Sequence, residues 1–205
     1  LTDQTACVLI KHGNPCGAAV ADDPLEAYRR AYLGDPVAAM GGVLAVNCPI
    51  TRPITEAVMN SLDRWGREAG ARGFLLEVWL APRFDEEALH FIRTAKPWSG
   101  GLRCIATGPM NPPRLTDELD FCRITGGMLV QQRDLIGLDE EDWVTVTRRP
   151  PDAQELSDLQ LAWLVVKHTR SNAIVIAREG QVLAVGAGQA SRVAACKLAV
   201  QLARE

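Results

Sequence analysis

Histidine is scarce in this 205-residue chain, with three in all, and the six cysteines stand singly, with no two at CxxC spacing. There is therefore no cluster at metal-ligand spacing, so no metal is expected, and no disulfide framework. Small reduced thiols, as in a cytoplasmic protein, account for Cys7, Cys16, Cys48, Cys104, Cys122 and Cys196. Aromatic residues are only 5% of the chain and the formal net charge is −3. Neither a base-stacking platform nor a basic surface for nucleic acid is expected. No apolar run reaches the roughly 18 residues needed to span a bilayer, and no basic-then-apolar leader opens the sequence. What is present, 47% hydrophobic and 23% charged, is the composition of an ordinary globular chain. Its length suits one large domain or two small ones sharing an interface.

The stretch Val8-Leu9-Ile10-Lys11-His12-Gly13-Asn14-Pro15-Cys16-Gly17 is the most informative. A short apolar run with β-branched members reads as a buried strand. It ends in two proton-handling side chains, and Gly13, Asn14-Pro15 and Gly17 then break it. Side chains at the carboxyl end of a strand in an open α/β sheet are placed to meet a ligand. Adjacent strand residues point to opposite faces, so Lys11 and His12 converge only if the strand bends or stops there, which Gly13 allows. Taken alone, the stretch reads equally as a solvated lysine and a histidine satisfied by a backbone carbonyl.

Strand and helix then alternate. Asp22-Asp23-Pro24 caps a helix from about Leu25 to Leu33, and Gly41-Gly42 precedes a second buried strand. That pair by itself reads as a sheet bend. A helix is expected over 51–68, with Ile54, Val58, Leu62 and Trp65 on one stripe. A third strand is expected over 74–82, where Glu77 interrupts an apolar run and marks an edge position or a ligand contact. A helix over 85–94 and a strand over 102–106 follow. The pattern predicts a layered α/β sheet. Gly108-Pro109-Met110-Asn111-Pro112-Pro113 is a candidate boundary. Beyond it come a hairpin over 121–131, a strand over 143–147, a helix over 153–168, and a second hairpin from Ser171 to Val185. The glycine-rich turn Gly186-Ala187-Gly188-Gln189 leads through Arg192 into a closing helix. Such turns present free N–H groups suited to a phosphate, although many strand-to-helix connections use glycine. His90 and the Lys167-His168 pair lie on helices and are expected to be structural.

In order along the chain, KHGNPCG (11–17), DPVAAMGGVLAVN (35–47), LLEVWLAP (75–82), GGMLVQ (126–131), WLVVKHTRSNAIVIA (163–177) and AVGAGQASRV (184–193) resemble the AICAR transformylase domain family. This is the formyltransferase portion of a bifunctional purine-biosynthesis enzyme. The resemblance implies cytidine-deaminase-like three-layer α/β/α units in tandem, over 1–115 and 116–205, the second incomplete. It implies a cytoplasmic homodimer with active sites near the interface. The implied reaction moves a formyl group from 10-formyltetrahydrofolate to the 5-amino group of AICAR, giving FAICAR. Lys11 and His12 fall on the family's catalytic Lys-His pair and Asn172 on the asparagine of its SNA motif. Arg192, Gly41, Glu77 and Asn14 fall on substrate-binding positions. An amine conjugated with a carboxamide-bearing imidazole ring is a weak nucleophile, so the chemistry needs a proton acceptor and a donor for the developing oxyanion.

The sequence departs from the family in places. The family's SxFGG reads Ala38-Ala39-Met40-Gly41-Gly42, without its hydroxyl and its ring. The family's segments before Leu1 and after Glu205, which help to complete its nucleotide and folate sites, are not represented. A second expectation is therefore a truncated, non-catalytic homologue that binds AICAR-like nucleotides or acts as a subunit with a partner. A zinc nucleoside deaminase is disfavoured: His12-Gly13-Asn14 lacks the glutamate of H-x-E, and no cysteine follows Cys16 at P-C-x-x-C spacing.

Overall fold

The computed structural model describes residues 4–110, 118–138 and 143–204. The opening apolar run forms β1 (Thr5–Lys11), and the chain turns straight back into β2 (Asn14–Ala21), with Lys11 opposite Asn14. Sequence reading assigned no strand after Gly17, because Pro15, Gly17 and the alanines that follow have weak β-propensity. Packing overrides that preference. The carbonyl oxygen of Ala31 lies 2.0 Å from where a Cβ on Gly17 would be, so α1 (Pro24–Gly34) rests directly on the strand backbone. The expected cap of α1 is present, with the Asp23 side chain accepting from the Glu26 N–H at 3.1 Å.

β3 (Gly42–Val46) is followed by α2 (Arg52–Met59) and a single π turn, Leu62–Gly66, rather than one continuous helix. Ser61 lies at the break. Its buried hydroxyl bonds back to the Ala57 and Val58 carbonyls and across to the Tyr28 hydroxyl, and back-bonding of this kind distorts a helix. β4 (Leu76–Ala81), α3 (Glu86–Ala95) and β5 (Arg103–Ala106) complete the first half. The candidate boundary near residue 115 lies outside the described residues. β6 (Leu119–Ile124) and β7 (Gly127–Gln132) form the expected hairpin, exposed along its whole length.

The strand expected over 143–147 is absent. Val144 and Val146 are 80% and 91% exposed with no strand beside them among the described residues, and Trp143 instead packs on Trp163, ring centroids 6.0 Å apart. Trp163 belongs to α4 (Ala153–Lys167), which opens with a capping box between Asp152 and Glu155. The second hairpin is present as β8 (Ile174–Arg178) and β9 (Gln181–Gly186), and α5 (Arg192–Leu202) closes the described chain.

Seven strands form one mixed sheet in the order β5-β4-β3-β1-β2-β9-β8, with β3, β4 and β5 parallel and the other neighbours antiparallel. β8 and β9, from the segment expected to form a second unit, thus extend the sheet of the first. One face buries Leu9, Leu44, Trp79, Tyr28, Tyr32 and Val58 in the main core. On the other face Ala18, Val20 and Val182 pack against Leu161 and Val165 of α4. The structure is therefore a mixed α/β sheet with helices on both faces. Among the described residues no helix is long and apolar enough to cross a membrane.

Candidate functional site

Strand directions put the candidate residues on one edge of the sheet. β1 and β9 end there, and β2, β3, β4 and β8 begin there. Lys11, Asn14, Gly41, Glu77, Asn172 and Arg192 all lie at or just beyond those strand ends. The edge is long. β4 and β8 are five strand spacings apart, roughly 24 Å at about 4.8 Å each, so the residues form a row rather than one tight cluster.

At the centre is the β1–β2 turn. His12 and Gly13 are its two middle residues, with φ of 51° and 75°, the left-handed shape of a two-residue hairpin turn. His12 is therefore a turn residue, and strand alternation does not fix its direction relative to Lys11. Its side chain is exposed and makes no hydrogen bond among the described residues. The Lys11 ammonium donates to the Met40 carbonyl. Gly41, at φ 72°, is needed twice over: a Cβ there would be strained and would lie 3.0 Å from Lys11 Nζ. Gly41 therefore makes room for the ammonium, and its N–H donates to the Leu75 carbonyl at 2.9 Å.

Asn172 stands just before β8, after a cis peptide bond from Ser171. Its backbone exchanges two hydrogen bonds with Gln189, each 3.1 Å, and its Nδ2 donates to the Gln189 carbonyl at 3.0 Å. A carbonyl can only accept, so the carboxamide orientation is set and Oδ1 is the atom left open. Arg192 occupies the first turn of α5, exposed, beside the Ser191 side chain that caps the helix. Glu77 is the extra residue of a bulge between β3 and β4, exposed and paired with Arg103 at 3.3 Å. The structure thus groups Lys11, His12, Asn14 and Gly41, brings Asn172 toward them, and keeps Glu77 two strands away.

Arg170 escaped sequence reading. Its backbone N–H donates to Asn14 Oδ1 at 3.0 Å, and Nη2 lies 3.9 Å from where a Cβ on Gly13 would be. Lys11, Arg170 and Arg192 make no ion pair among the described residues, so this edge carries three cations without a carboxylate partner. Cys16, beside the turn, is no nucleophile: burial, with Asp35 second, pushes its thiol up to about 12, and Sγ donates to the Leu9 carbonyl at 3.4 Å. All six cysteines are free, and among the described residues no three His, Cys, Asp or Glu side chains are grouped to hold a metal ion.

A sheet edge with an ammonium, an imidazole, a carboxamide and guanidinium groups offers hydrogen-bond donors and positive charge of the kind that meets an anionic ligand. The sequence model of the AICARFT/IMPCHase bienzyme matches residues 1–202, and the chain belongs to that family. Similar proteins include the bifunctional purine biosynthesis protein PurH of Magnetococcus marinus, 42% identical over 201 residues. The PurH proteins of Bacillus cytotoxicus and Prochlorococcus marinus are each 38% identical over 200 residues. Each alignment covers 98% of this chain and 35% of the relative, so the chain spans about a third of the length of these curated relatives.

Proposed function

We propose that this chain carries a formyltransferase site of de novo purine biosynthesis, passing a formyl group from 10-formyltetrahydrofolate to the 5-amino group of AICAR. The observation that supports this is the single edge that carries Lys11, His12 and Asn172, with Lys11, Arg170 and Arg192 making no ion pair among the described residues. A phosphate-bearing nucleotide suits such an edge, with Arg192 at a helix start as its contact. Gly41 and Glu77 complete the substrate-binding set in this reading.

The roles follow from which atoms are open. Asn172 Oδ1, its Nδ2 already engaged, accepts from the substrate amine and orients its lone pair. His12 takes the amine proton as nitrogen bonds to the formyl carbon. Lys11 stabilises the negative charge that develops on the formyl oxygen; losing one such donor typically costs roughly 3–4 kcal/mol. As the carbon–N10 bond breaks, N10 takes a proton from Lys11 or from protonated His12, leaving tetrahydrofolate and FAICAR. The same reading brings the cytidine-deaminase-like layering, the division near residue 115, a cytoplasmic setting and a homodimer with sites near its interface.

The test is turnover of AICAR and 10-formyltetrahydrofolate by the chain, beside calorimetric binding of AICAR. Formation of FAICAR that is lost in Lys11→Met supports the proposal. AICAR binding without transfer points to the non-catalytic homologue, and neither binding nor transfer removes the nucleotide reading altogether.

A further inference from the structure

The turn that carries Lys11 and His12 and the loop that carries Asn172 come from opposite ends of the chain, and the sheet holds them together poorly. β2 pairs with β9 only through Ala19 and Gln181, reinforced by the Val20 N–H on the Gly180 carbonyl at 2.8 Å, and both contacts are remote from the site edge. Towards the site the two strands diverge, and a cleft of about 670 Å³ opens between Asn14-Pro15 and Leu183-Val185. One hydrogen bond crosses that gap among the described residues: Asn14 Oδ1 accepts the Arg170 N–H at 3.0 Å. The Arg170 carbonyl in turn accepts from the Gly188 N–H at 2.8 Å, and neighbouring Gln189 exchanges its two backbone bonds with Asn172. A path of hydrogen bonds joined by short stretches of backbone therefore leads from the Lys-His turn to the Asn172 carboxamide, and among the described residues Asn14 is its one side-chain link across the gap.

We propose that Asn14 is a positioning residue: its side-chain oxygen sets the separation between the proton-handling turn and the Asn172 carboxamide. This rests on the formyl-transfer reading and changes the role of Asn14 from substrate contact to internal tie. The physical reason is leverage. Asn14 is directly opposite Lys11, one residue from the turn, so a shift at its amide is passed to both catalytic side chains with little loss. A displacement of about 1 Å at a reacting centre costs up to about a hundredfold in rate. Aspartate keeps an acceptor oxygen at the same place and alanine does not, so the two variants separate the tie from general damage.

The experiment compares Asn14→Ala and Asn14→Asp with the unaltered chain in steady-state formyl transfer and in amide hydrogen exchange at Arg170. Asn14→Ala is expected to lower kcat about ten- to a hundredfold, leave KM for AICAR within about threefold, and speed Arg170 exchange; Asn14→Asp restores most of both. Unchanged Arg170 exchange in Asn14→Ala overturns the tie whatever happens to turnover, because the side chain then acts elsewhere. A rise confined to KM overturns it too, since that marks a substrate contact. If the unaltered chain transfers no formyl group, the catalytic reading fails by itself, and the exchange comparison still decides whether Asn14 joins the two segments.

Discussion

Two turns in this protein share one backbone shape and are treated in opposite ways. His12-Gly13 joins β1 to β2, with φ of 51° and 75°; Glu179-Gly180 joins β8 to β9, with φ of 53° and 76°. Both put a residue with a side chain and then a glycine in the left-handed region, as a two-residue hairpin with right-handed strand twist demands. At the second turn nearly every polar group is claimed. Buried Asp158 accepts from the Glu179 and Gly180 N–H groups at 2.8 and 2.7 Å, Arg30 donates to the Glu179 carbonyl, and the Val20 N–H to that of Gly180. At the first turn His12 and Gly13 are exposed, and among the described residues no carboxylate accepts from the turn N–H groups. A turn that exists to hold strands together is fastened to the core, whereas one that presents an imidazole keeps its side chain free and relies on Asn14 for position. The sheet places these turns at opposite edges, so stability and chemistry are separated in space.

The largest expected effect comes from removing chemistry without disturbing shape. His12→Gly takes away the imidazole and also the left-handed strain of a residue with a side chain, worth about 1–2 kcal/mol, against about 0.5–1 kcal/mol of extra chain entropy. Transfer should fall by about 10²–10⁴-fold while the melting temperature holds or rises slightly; a calorimetric scan beside a turnover assay checks both. A variant that melts early with activity intact would erase the contrast between the turns. The reverse pattern is expected at the other turn. Asp158→Ala leaves two turn N–H groups without their buried acceptor and should destabilise by about 3 kcal/mol. Its kcat at a temperature where it is folded should be within about twofold of the unaltered chain. Urea unfolding gives the first number and turnover the second.

Much of this was legible from local chemistry. The Asp23-Pro24 cap and the second hairpin depend on neighbours in sequence, and each is where its residues place it. β2 was not legible, because its small residues are chosen for the close approach of α1 over Gly17 and not for strand propensity. The π turn was hidden for a related reason: Ser61 bonds to Tyr28, 33 residues away, as well as to its own helix. At the site, Lys11 and His12 stood out by residue type, yet the place of His12 in the turn depends on a backbone shape that Gly13 allows and does not dictate. Arg170 gave no signal, since its contribution is a backbone N–H that any residue but proline carries, used by a side chain 156 positions away. Features set by contacts between distant segments are the ones a single sequence conceals.

The smallest effect isolates one physical term. Gly13→Ala and Gly180→Ala put the same methyl group on nearly the same backbone conformation, so the conformational cost of about 1–2 kcal/mol is common to both. Their surroundings differ. A Cβ on Gly180 would sit 2.8 Å from the Val20 carbonyl oxygen and 3.3 Å from its Cγ2, inside a pairing that joins β2 to β9. A Cβ on Gly13 would meet nothing closer than Arg170 Nη2 at 3.9 Å, an ordinary contact with the end of a flexible side chain. Overpacking against backbone costs about 1–3 kcal/mol, so Gly180→Ala should unfold at lower urea than Gly13→Ala by that margin, with equal m-values. Equal midpoints would mean that the sheet yields at Val20 without cost. The join between β2 and β9 would then be soft at both ends, and the Asn14 tie would be left to hold the site edge without a firm hinge behind it.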